Sequence, residues 1–328
     1  MFPDWVTPGD FERLRIKLAQ GQWRNLARKL FLGSRRRVVQ SWSHCGGERK
    51  SWYDVPAIQR RWNALIAGDP AIDFQSHVCG KFLAGRSSLR GLSIGCGTGA
   101  REILWARTGR FERLDAIDLS PARISFANER AVQEKLDGVL RFEVGDALSL
   151  NKPEGSYDVV FGEQSLHHLT PLADVFAMTE RLLKPGGLLV VNEFVGPIRF
   201  QWTDRQIELS NALLRKFPEE RRVFWNTRIV KRRVVRPGRL TMYLSDPSEA
   251  VESSRILPLA RERFEVLEER GYGGTLLQLV FADIAHHFLD ESRETLDLLD
   301  LAFKEEDFYL GRGDIQSDFA TLIGRRRS

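Results

Sequence analysis

The most informative segment of the chain is the run Leu92-Ser93-Ile94-Gly95-Cys96-Gly97-Thr98-Gly99, which is followed by a helical stretch from Ala100. Its apolar start predicts a buried strand. Its glycines predict a sharp turn into a helix, because side chains there would clash with the turn or with a ligand lying on it. Free backbone N–H groups at the start of that helix attract the anionic or polar part of a ligand. Nineteen residues after Gly99, at the end of the next predicted strand, lies Asp118, whose carboxylate can accept two hydrogen bonds from ribose hydroxyls.

The glycine run alone leaves two cofactor classes open. The glycines and Ala100 also match the fingerprint of dinucleotide-binding proteins, so an NAD(P)-dependent oxidoreductase is one alternative. Three later segments favour a different class. Gly145-Asp146-Ala147 ends a third strand, residues 157–169 hold a fourth strand and the turn after it, and residues 182–191 make a helix end, a turn and a fifth strand. A dehydrogenase has no reason to repeat this set at these intervals.

The chain resembles a class I S-adenosylmethionine-dependent methyltransferase in five motifs that occur in the family's order: GCGTG (95–99), IDLS (117–120), GDA (145–147), YDVVF (157–161) and LKPGG (183–187). The resemblance covers roughly residues 88–197. Two longer phrases, NEFVGPIRFQWTD (192–204) and DPSEAVESS (246–254), are similar to a bacterial, methyltransferase-11-like group of uncertain substrate.

This resemblance implies an α/β fold, a Rossmann-like seven-stranded mixed sheet in the order 3-2-1-4-5-7-6. The last strand is expected to be antiparallel, with helices on both faces of the sheet. Strands are predicted at residues 91–94, 113–117, 140–144, 157–161, 188–194, 264–269 and 318–325. The family joins its last two strands by a short hairpin, whereas about fifty residues separate them here, so a helical insertion at 275–310 is a departure.

Four parts are predicted along the chain. Residues 1–87 form an N-terminal helical extension or cap, and residues 88–197 form the cofactor-binding core. Residues 198–245 form a basic substrate lid, and residues 246–328 complete the sheet with its helical insertion. The last part is expected to open with a helix capped by Asp246-Pro247-Ser248-Glu249 that runs toward Arg263 and kinks at Pro258.

The resemblance also implies which residues bind S-adenosylmethionine and release S-adenosylhomocysteine as the product. The glycines let the backbone approach the methionyl part, an acid binds the ribose hydroxyls, and further residues flank the adenine and border the sulfonium. In this order they are Gly95, Gly97 and Gly99, then Asp118, then Asp146 and Ala147, and finally Glu163 and Gln164.

Two residues are candidates for a catalytic base, because active sites of open parallel sheets lie beyond the carboxyl ends of the strands. His167 follows the fourth strand, and Glu193 lies near the end of the fifth. A hydroxyl acceptor must lose its proton, which His and Glu can accept. The alternative for His167 is a packing role. Glu193 lies in an apolar strand, where an unpaired carboxylate is costly, so it needs a partner or an open cleft.

The distribution of charge points to the acceptor. The 328 residues carry a net charge of only +5, but residues 215–239 hold ten basic residues against two acids, and residues 283–318 are acidic. Arginines suit phosphate or carboxylate groups. We therefore predict transfer to oxygen of a small-molecule or glycan acceptor that carries negative charge. The predicted acceptor contacts are Phe200, Trp202, Arg222 and Arg232.

Three alternatives stay open at this point. The main rival is an RNA methyltransferase, whose basic residues would bind phosphates. The chain shows no recognisable appended RNA-binding module, and its rear is acidic. A non-catalytic cofactor-binding subunit and the oxidoreductase are less favoured, since the glycine loop and Asp118 are intact.

The remaining sequence features indicate where in the cell the protein is expected to be. No run of eighteen apolar residues predicts a membrane span, and the first residues lack the apolar core of a signal peptide. The three cysteines show no metal-ligand spacing, so no metal site and a reducing cytoplasm are expected. Residues 11–37 are basic and amphipathic, which predicts docking on the domain or, alternatively, peripheral contact with an anionic inner membrane surface.

Overall fold

A single seven-stranded sheet organises the chain in the computed structural model, which describes residues 5–21 and 50–327. Its strand order is β3-β2-β1-β4-β5-β7-β6, and only the pairings of β7 are antiparallel. The predicted fold is thus confirmed, with each strand within a few residues of its expected bounds. The strands are β1 (Leu89–Ile94), β2 (Phe111–Asp118), β3 (Leu140–Val144), β4 (Tyr157–Glu163), β5 (Leu183–Phe194), β6 (Phe264–Gly271) and β7 (Phe319–Arg326).

Alternating side chains of the central strands enter two separate apolar cores, one on each face of the sheet. On β4, Val159 and Phe161 face the first core, whereas Val160 faces the second. Such runs, buried on both faces, are typical of parallel strands covered by helices.

Eleven α-helices lie within the described residues. α1 (Pro8–Ala19) precedes α2 (Pro56–Ala67) and α3 (Phe74–Lys81), which pack in the first core. Among those described, no helix is both long and apolar enough to cross a membrane. The other helices are α4 (Ala100–Arg107), α5 (Pro121–Gln133), α6 (Leu172–Leu182), α7 (Asp204–Leu214), α8 (Arg239–Ser245), α9 (Ile256–Arg263), α10 (Thr275–Phe281) and α11 (Arg293–Gly311).

The long connection between β6 and β7 contains α10 and α11, in place of a short hairpin. The buried carboxylate of Glu306 on α11 accepts hydrogen bonds from the backbone N–H groups of Gly274 at 3.2 Å and Leu276 at 2.9 Å. These groups begin α10 and have no partner within that helix. A carboxylate at this end of a helix also suits its dipole, so Glu306 fixes the two inserted helices to each other.

The predicted helix start at Asp246 is wrong. Residues 246–255 form turns and a short 3-10 helix, and α9 begins only at Ile256. The side chain of Asp246 accepts a hydrogen bond from the backbone N–H of Ser248 at 2.9 Å, which stabilises a turn. Pro258 is the third residue of α9, where a backbone N–H has no helical partner, so the helix needs no kink there.

Helix α1 and the chain between α7 and α8 cover the carboxyl ends of the strands together. Asp10 of α1 accepts a hydrogen bond from the N–H of Gly238 at 2.9 Å, and the N–H of Leu240 donates to the carbonyl of Trp5 at 3.1 Å. The four-part division of the chain remains a proposal, because these contacts join the extension to the lid.

Candidate functional site

A cleft opens at the carboxyl ends of β1 to β4, and we call it the glycine-loop cleft. It spans about 690 Å³, including space that is open to solvent. Polar and apolar side chains from the four strand ends line it, including Gly95, Asp118, Ser120, Arg123, Asp146, Ala147, Gln164, Ser165, His168 and Leu169.

Two glycines of the loop are required by the backbone. Gly95 has a φ of +73°, and a Cβ there would meet the Cβ of Ser165 at 2.6 Å. Gly99 has a φ of +75° just before α4, and a Cβ there would meet the ring of Phe142 at 2.7 Å. Only glycine adopts this conformation without strain, so the loop can pass under a ligand as the sequence predicts.

Asp118 lies at the end of β2 and joins the glycine loop to the cleft. Its Oδ2 accepts a hydrogen bond from the N–H of Gly97 at 3.0 Å, and its Oδ1 accepts one from the N–H of Ser120 at 2.8 Å. A carboxylate oxygen can accept more than one hydrogen bond. Asp118 therefore still offers acceptor capacity to the cleft that it lines.

The structure brings most of the predicted cofactor residues together around this cleft. Asp146, Ala147 and Gln164 line it with Gly95 and Asp118. Gly97 and Gly99 shape the loop but do not line the cleft.

Glu163 departs from the prediction that it borders the sulfonium. Its carboxylate is buried beneath the glycine loop, where Oε1 accepts a hydrogen bond from the indole N–H of Trp105 at 2.5 Å. Arg101 lies 3.8 Å from its other oxygen. Burial raises the pKa of Glu163. This residue stabilises the packing of α4 on β4 and does not face the cleft.

Glu193 also departs from its predicted role, because its side chain is fully buried. Its Oε1 accepts hydrogen bonds from the N–H groups of Ser165 and Leu166, and its Oε2 accepts one from the N–H of Phe194. Oε2 also lies 2.6 Å from Nδ1 of His167. Glu193 thus has partners on both oxygens and cannot reach an acceptor, so it positions the turn after β4.

His167 is held by this carboxylate in one orientation. Since Glu193 only accepts, Nδ1 of His167 carries the hydrogen, and Nε2 has the free lone pair when the ring is neutral. Nε2 lies 3.6 Å from Oε1 of Glu249. Burial lowers the pKa of His167, but Glu193 and Glu249 outweigh it, so the net shift is upward.

A second cavity, which we call the lid chamber, lies among α1, the lid and the loop before α9. It spans about 1050 Å³, including space that is open to solvent. Its lining includes Arg13, Ile16, Phe200, Trp202, Phe224, Lys231, Met242, Asp246, Glu249 and Gln278. His167 contacts one lining residue of each space: its ring lies 4.1 Å from the ring of His168 in the glycine-loop cleft, and its Nε2 lies 3.6 Å from Glu249 in the chamber.

The two predicted aromatic contacts both line the lid chamber. The ring of Phe200 stacks on that of Trp202 with centroids 5.0 Å apart. The indole N–H of Trp202 donates to Asp318 at 2.9 Å, which fixes this stack to the start of β7.

The two predicted arginine contacts do not line the chamber. Arg222 lies 3.8 Å from Glu219 within the lid, and Arg232 is exposed in an outer groove between the lid and α1. The prediction rested on the charge of the whole insert. Lys231 does line the chamber, but its amine donates to the carbonyls of Leu279, Val280 and Ala282.

The sequence of the core matches a known domain family. Residues 92–191 match the family model described as a methyltransferase domain. A 117-residue segment is 37% identical to 27-O-demethylrifamycin SV methyltransferase of Amycolatopsis mediterranei, covering 34% of this chain and 43% of that relative.

The chain contains a methyltransferase domain.

Further comparisons agree with this domain and differ in the acceptor atom. Erythromycin 3''-O-methyltransferase of Saccharopolyspora erythraea is 33% identical over 104 residues, covering 32% of this chain and 34% of that relative. Both segments span less than half the length of these relatives. Other relatives are named as N- and C-methyltransferases. A solved phosphoethanolamine N-methyltransferase 2 of Haemonchus contortus, in complex with S-adenosylmethionine, covers 86% of this chain and 61% of its own, with 15% identity and a TM-score of 0.49.

The structure identifies one residue near the methyltransferase domain that the sequence analysis did not assign to the site. Glu249 appeared in the sequence as a helix-capping acid, and it follows His167 by 82 residues. No local pattern signals a contact across that separation. Within the described ranges, possible metal-ligand atoms of His167, His168 and Glu249 lie within 4.8 Å of one another. The sequence predicts no metal site, so activity has to be measured with and without a chelator.

Proposed function

We propose that the protein transfers a methyl group from S-adenosylmethionine to a hydroxyl of a small-molecule or glycan acceptor. One observation carries this proposal: His167, whose Nδ1 is held by Glu193, contacts both His168 of the glycine-loop cleft and Glu249 of the lid chamber. A methyl donor in the first space and an acceptor in the second would meet beside its free nitrogen.

The glycine-loop cleft fits the donor. Asp118 offers a carboxylate for ribose hydroxyls, and Asp146 and Ala147 would flank the adenine between apolar side chains such as Leu169. Gly95 leaves the loop open where a side chain would protrude. Bound S-adenosylmethionine supplies an electrophilic methyl group on a sulfonium, so the protein's task is mainly alignment and proton removal.

The arrangement of His167 favours oxygen as the acceptor atom. A hydroxyl must lose its proton during methylation, and a neutral imidazole whose Nδ1–H is held by a carboxylate presents Nε2 as the base. In this proposal Glu193 orients His167 and stabilises the imidazolium that forms. Two of the relatives are named as O-methyltransferases, which agrees with this choice.

The lid chamber supports a small acceptor over RNA. It is enclosed by α1 and the lid, and its lining mixes aromatic rings, apolar side chains and charges of both signs. Several lid cations are already paired with acids, such as Arg221 with Glu294 at 3.1 Å and Lys216 with Glu305 at 2.5 Å. Paired cations contribute little to binding phosphates.

Transfer assays with S-adenosylmethionine test this proposal directly. The wild type is incubated with a panel of small hydroxyl compounds, including sugar glycosides and 27-O-demethylrifamycin SV, and with RNA. We expect methylation of a hydroxyl compound and a loss of at least a hundredfold in kcat for His167→Asn, with unchanged S-adenosylhomocysteine affinity. Methylation of RNA alone, with affinity that falls steeply with salt, would establish the rival function.

A further inference from the structure

At the edge of the lid chamber, His167 and Glu249 form a loose ion pair that lacks hydrogen-bond geometry. Nε2 of His167 and Oε1 of Glu249 are 3.6 Å apart, beyond the usual length of a hydrogen bond. No described residue donates a hydrogen bond to the Glu249 carboxylate, although its side chain is only 19% exposed and that exposure opens into the chamber. Buried carboxylates normally accept hydrogen bonds, so the Glu249 carboxylate has acceptor capacity to offer a ligand in the chamber.

The backbone around Glu249 is fixed, so the spacing follows from the fold. The N–H of Val251 donates to the carbonyl of His167 at 3.2 Å, and the N–H of Arg199 donates to the carbonyl of Ala250 at 2.7 Å. The side chain of Glu252 accepts from the N–H of Leu172 at 2.7 Å. The segment is therefore tied to the chain that follows β4 and to the chain that follows β5.

We propose that Glu249 binds the acceptor together with His167: the hydroxyl that is methylated donates to Nε2 of His167, and a neighbouring hydroxyl of the same acceptor donates to Oε1 of Glu249. Neighbouring hydroxyl groups of one molecule can reach two atoms that are 3.6 Å apart, so neither side chain has to move. This inference rests on the proposed function, because it assigns a role in the transfer to a hydroxyl.

The two residues then accept the same proton one after the other. As the hydroxyl oxygen forms its bond to the methyl carbon, the C–S bond of the sulfonium breaks and its electron pair stays on sulfur. The hydroxyl proton passes to Nε2 of His167, and Glu249 then takes it from the ring toward the chamber. The methyl donor leaves as a neutral thioether, and the net release is one proton.

The charged surroundings allow this exchange near neutral pH. Burial and the nearby Asp246 raise the pKa of Glu249 to about 7, although His167 and Arg199 oppose the shift. Glu193 also faces Glu249, and Arg13 of α1 approaches it from the lid side. His167 in turn faces Glu193, Glu249, Asp246 and His168.

The first test needs no acceptor. The pKa of His167 is measured by NMR on histidine-labelled protein with S-adenosylhomocysteine added, for the wild type and Glu249→Gln. We expect Glu249→Gln to lower the pKa of His167 by about one unit, because a neighbouring carboxylate is lost. The control is Glu265→Gln, which removes an exposed acid of β6 that pairs with Arg325 at 3.3 Å, and it should leave that pKa unchanged. An unchanged pKa in Glu249→Gln refutes the inference.

The second test uses the hydroxyl compound that the wild type methylates. We expect Glu249→Gln to reduce kcat about 10- to 100-fold with an unchanged KM for S-adenosylmethionine, and Glu265→Gln to keep kcat within twofold. Full kcat in Glu249→Gln, or activity that EDTA abolishes and a divalent cation restores, overturns the inference. A wild type that methylates no hydroxyl refutes the proposed function, and with it the acceptor role of Glu249, whatever the NMR shows.

Discussion

At the scale of single residues, the site depends on one fully buried carboxylate. Glu193 accepts hydrogen bonds from three backbone N–H groups as well as its contact with His167, so both of its oxygens serve the turn after β4. Hydrogen bonds to a charged acceptor are among the stronger ones in proteins. Glu193 therefore fixes both the orientation of His167 and the shape of the loop beside the glycine-loop cleft.

Glu193→Gln should destabilise the protein by about 3 kcal/mol, because the amide group would place N–H donors against N–H donors. Urea denaturation at pH 7 measures this change in the free energy of unfolding. The matched control is Glu265→Gln on β6, an exposed residue 3.3 Å from Arg325, which should change stability by less than about 0.5 kcal/mol. Equal stabilities for the two variants would contradict this account.

At the scale of elements, α4 carries a second buried acid under the glycine loop. Glu102 is 3% exposed, and its Oε1 accepts a hydrogen bond from the hydroxyl of Ser93 on β1 at 2.6 Å. Its other oxygen has no partner. Burial raises the pKa of Glu102 to about 7. The helix is thus best packed when this acid is protonated.

Stability should therefore depend on pH through Glu102. Its folded pKa lies above its ordinary value of 4.5, so its contribution is complete below pH 4.5 and is lost as the pH rises through about 7. We expect Glu102→Gln to raise the Tm relative to the wild type at pH 8 and to leave it nearly equal at pH 5. Glu112→Gln, at the exposed start of β2, serves as the control. A Tm difference that is the same at both pH values would show that Glu102 ionises freely.

The sequence predicted those elements whose signals are local. The glycines at 95–99 and Asp118 could be assigned because turn geometry and a strand end fix them within one segment. Glu193 was placed on the correct strand and Glu163 just past the end of its strand, but alternation along a strand does not tell which carboxylate faces a cleft.

Contacts between segments that are far apart in the sequence could not be predicted from such local signals. Asp246 to Glu249 has the composition of a helix cap, yet tertiary bonds hold it as turns that bring Glu249 to His167. The lid arginines had the expected charge, but their partners on α11 could not be known from the lid alone.

At the scale of the whole molecule, the basic lid and the acidic rear face each other. Arg221 and Lys216 of the lid contact acids of α11, so much of the charge asymmetry in the sequence is used within the fold. A negatively charged acceptor remains a proposal. Arg13 lines the lid chamber and is therefore better placed to bind such an acceptor than Arg222 and Arg232, which do not line it.

The amphipathic front of the chain is only partly described. Phe11, Leu14 and Leu18 are exposed on α1, whereas residues 22–37 of the predicted membrane-contacting stretch lie outside the described ranges. Peripheral membrane contact and a cytoplasmic location stay predictions. Sedimentation with anionic liposomes would test the first of them.

Calorimetric titration with S-adenosylhomocysteine measures whether the glycine-loop cleft binds the cofactor through Asp118. We predict binding to the wild type and at least a tenfold loss of affinity in Asp118→Ala, because hydrogen bonds from ribose hydroxyls to a carboxylate are lost. Glu112→Ala on the same strand should bind like the wild type. Binding of NADP but not of S-adenosylhomocysteine, or equal affinities in Asp118→Ala and the wild type, would contradict the account.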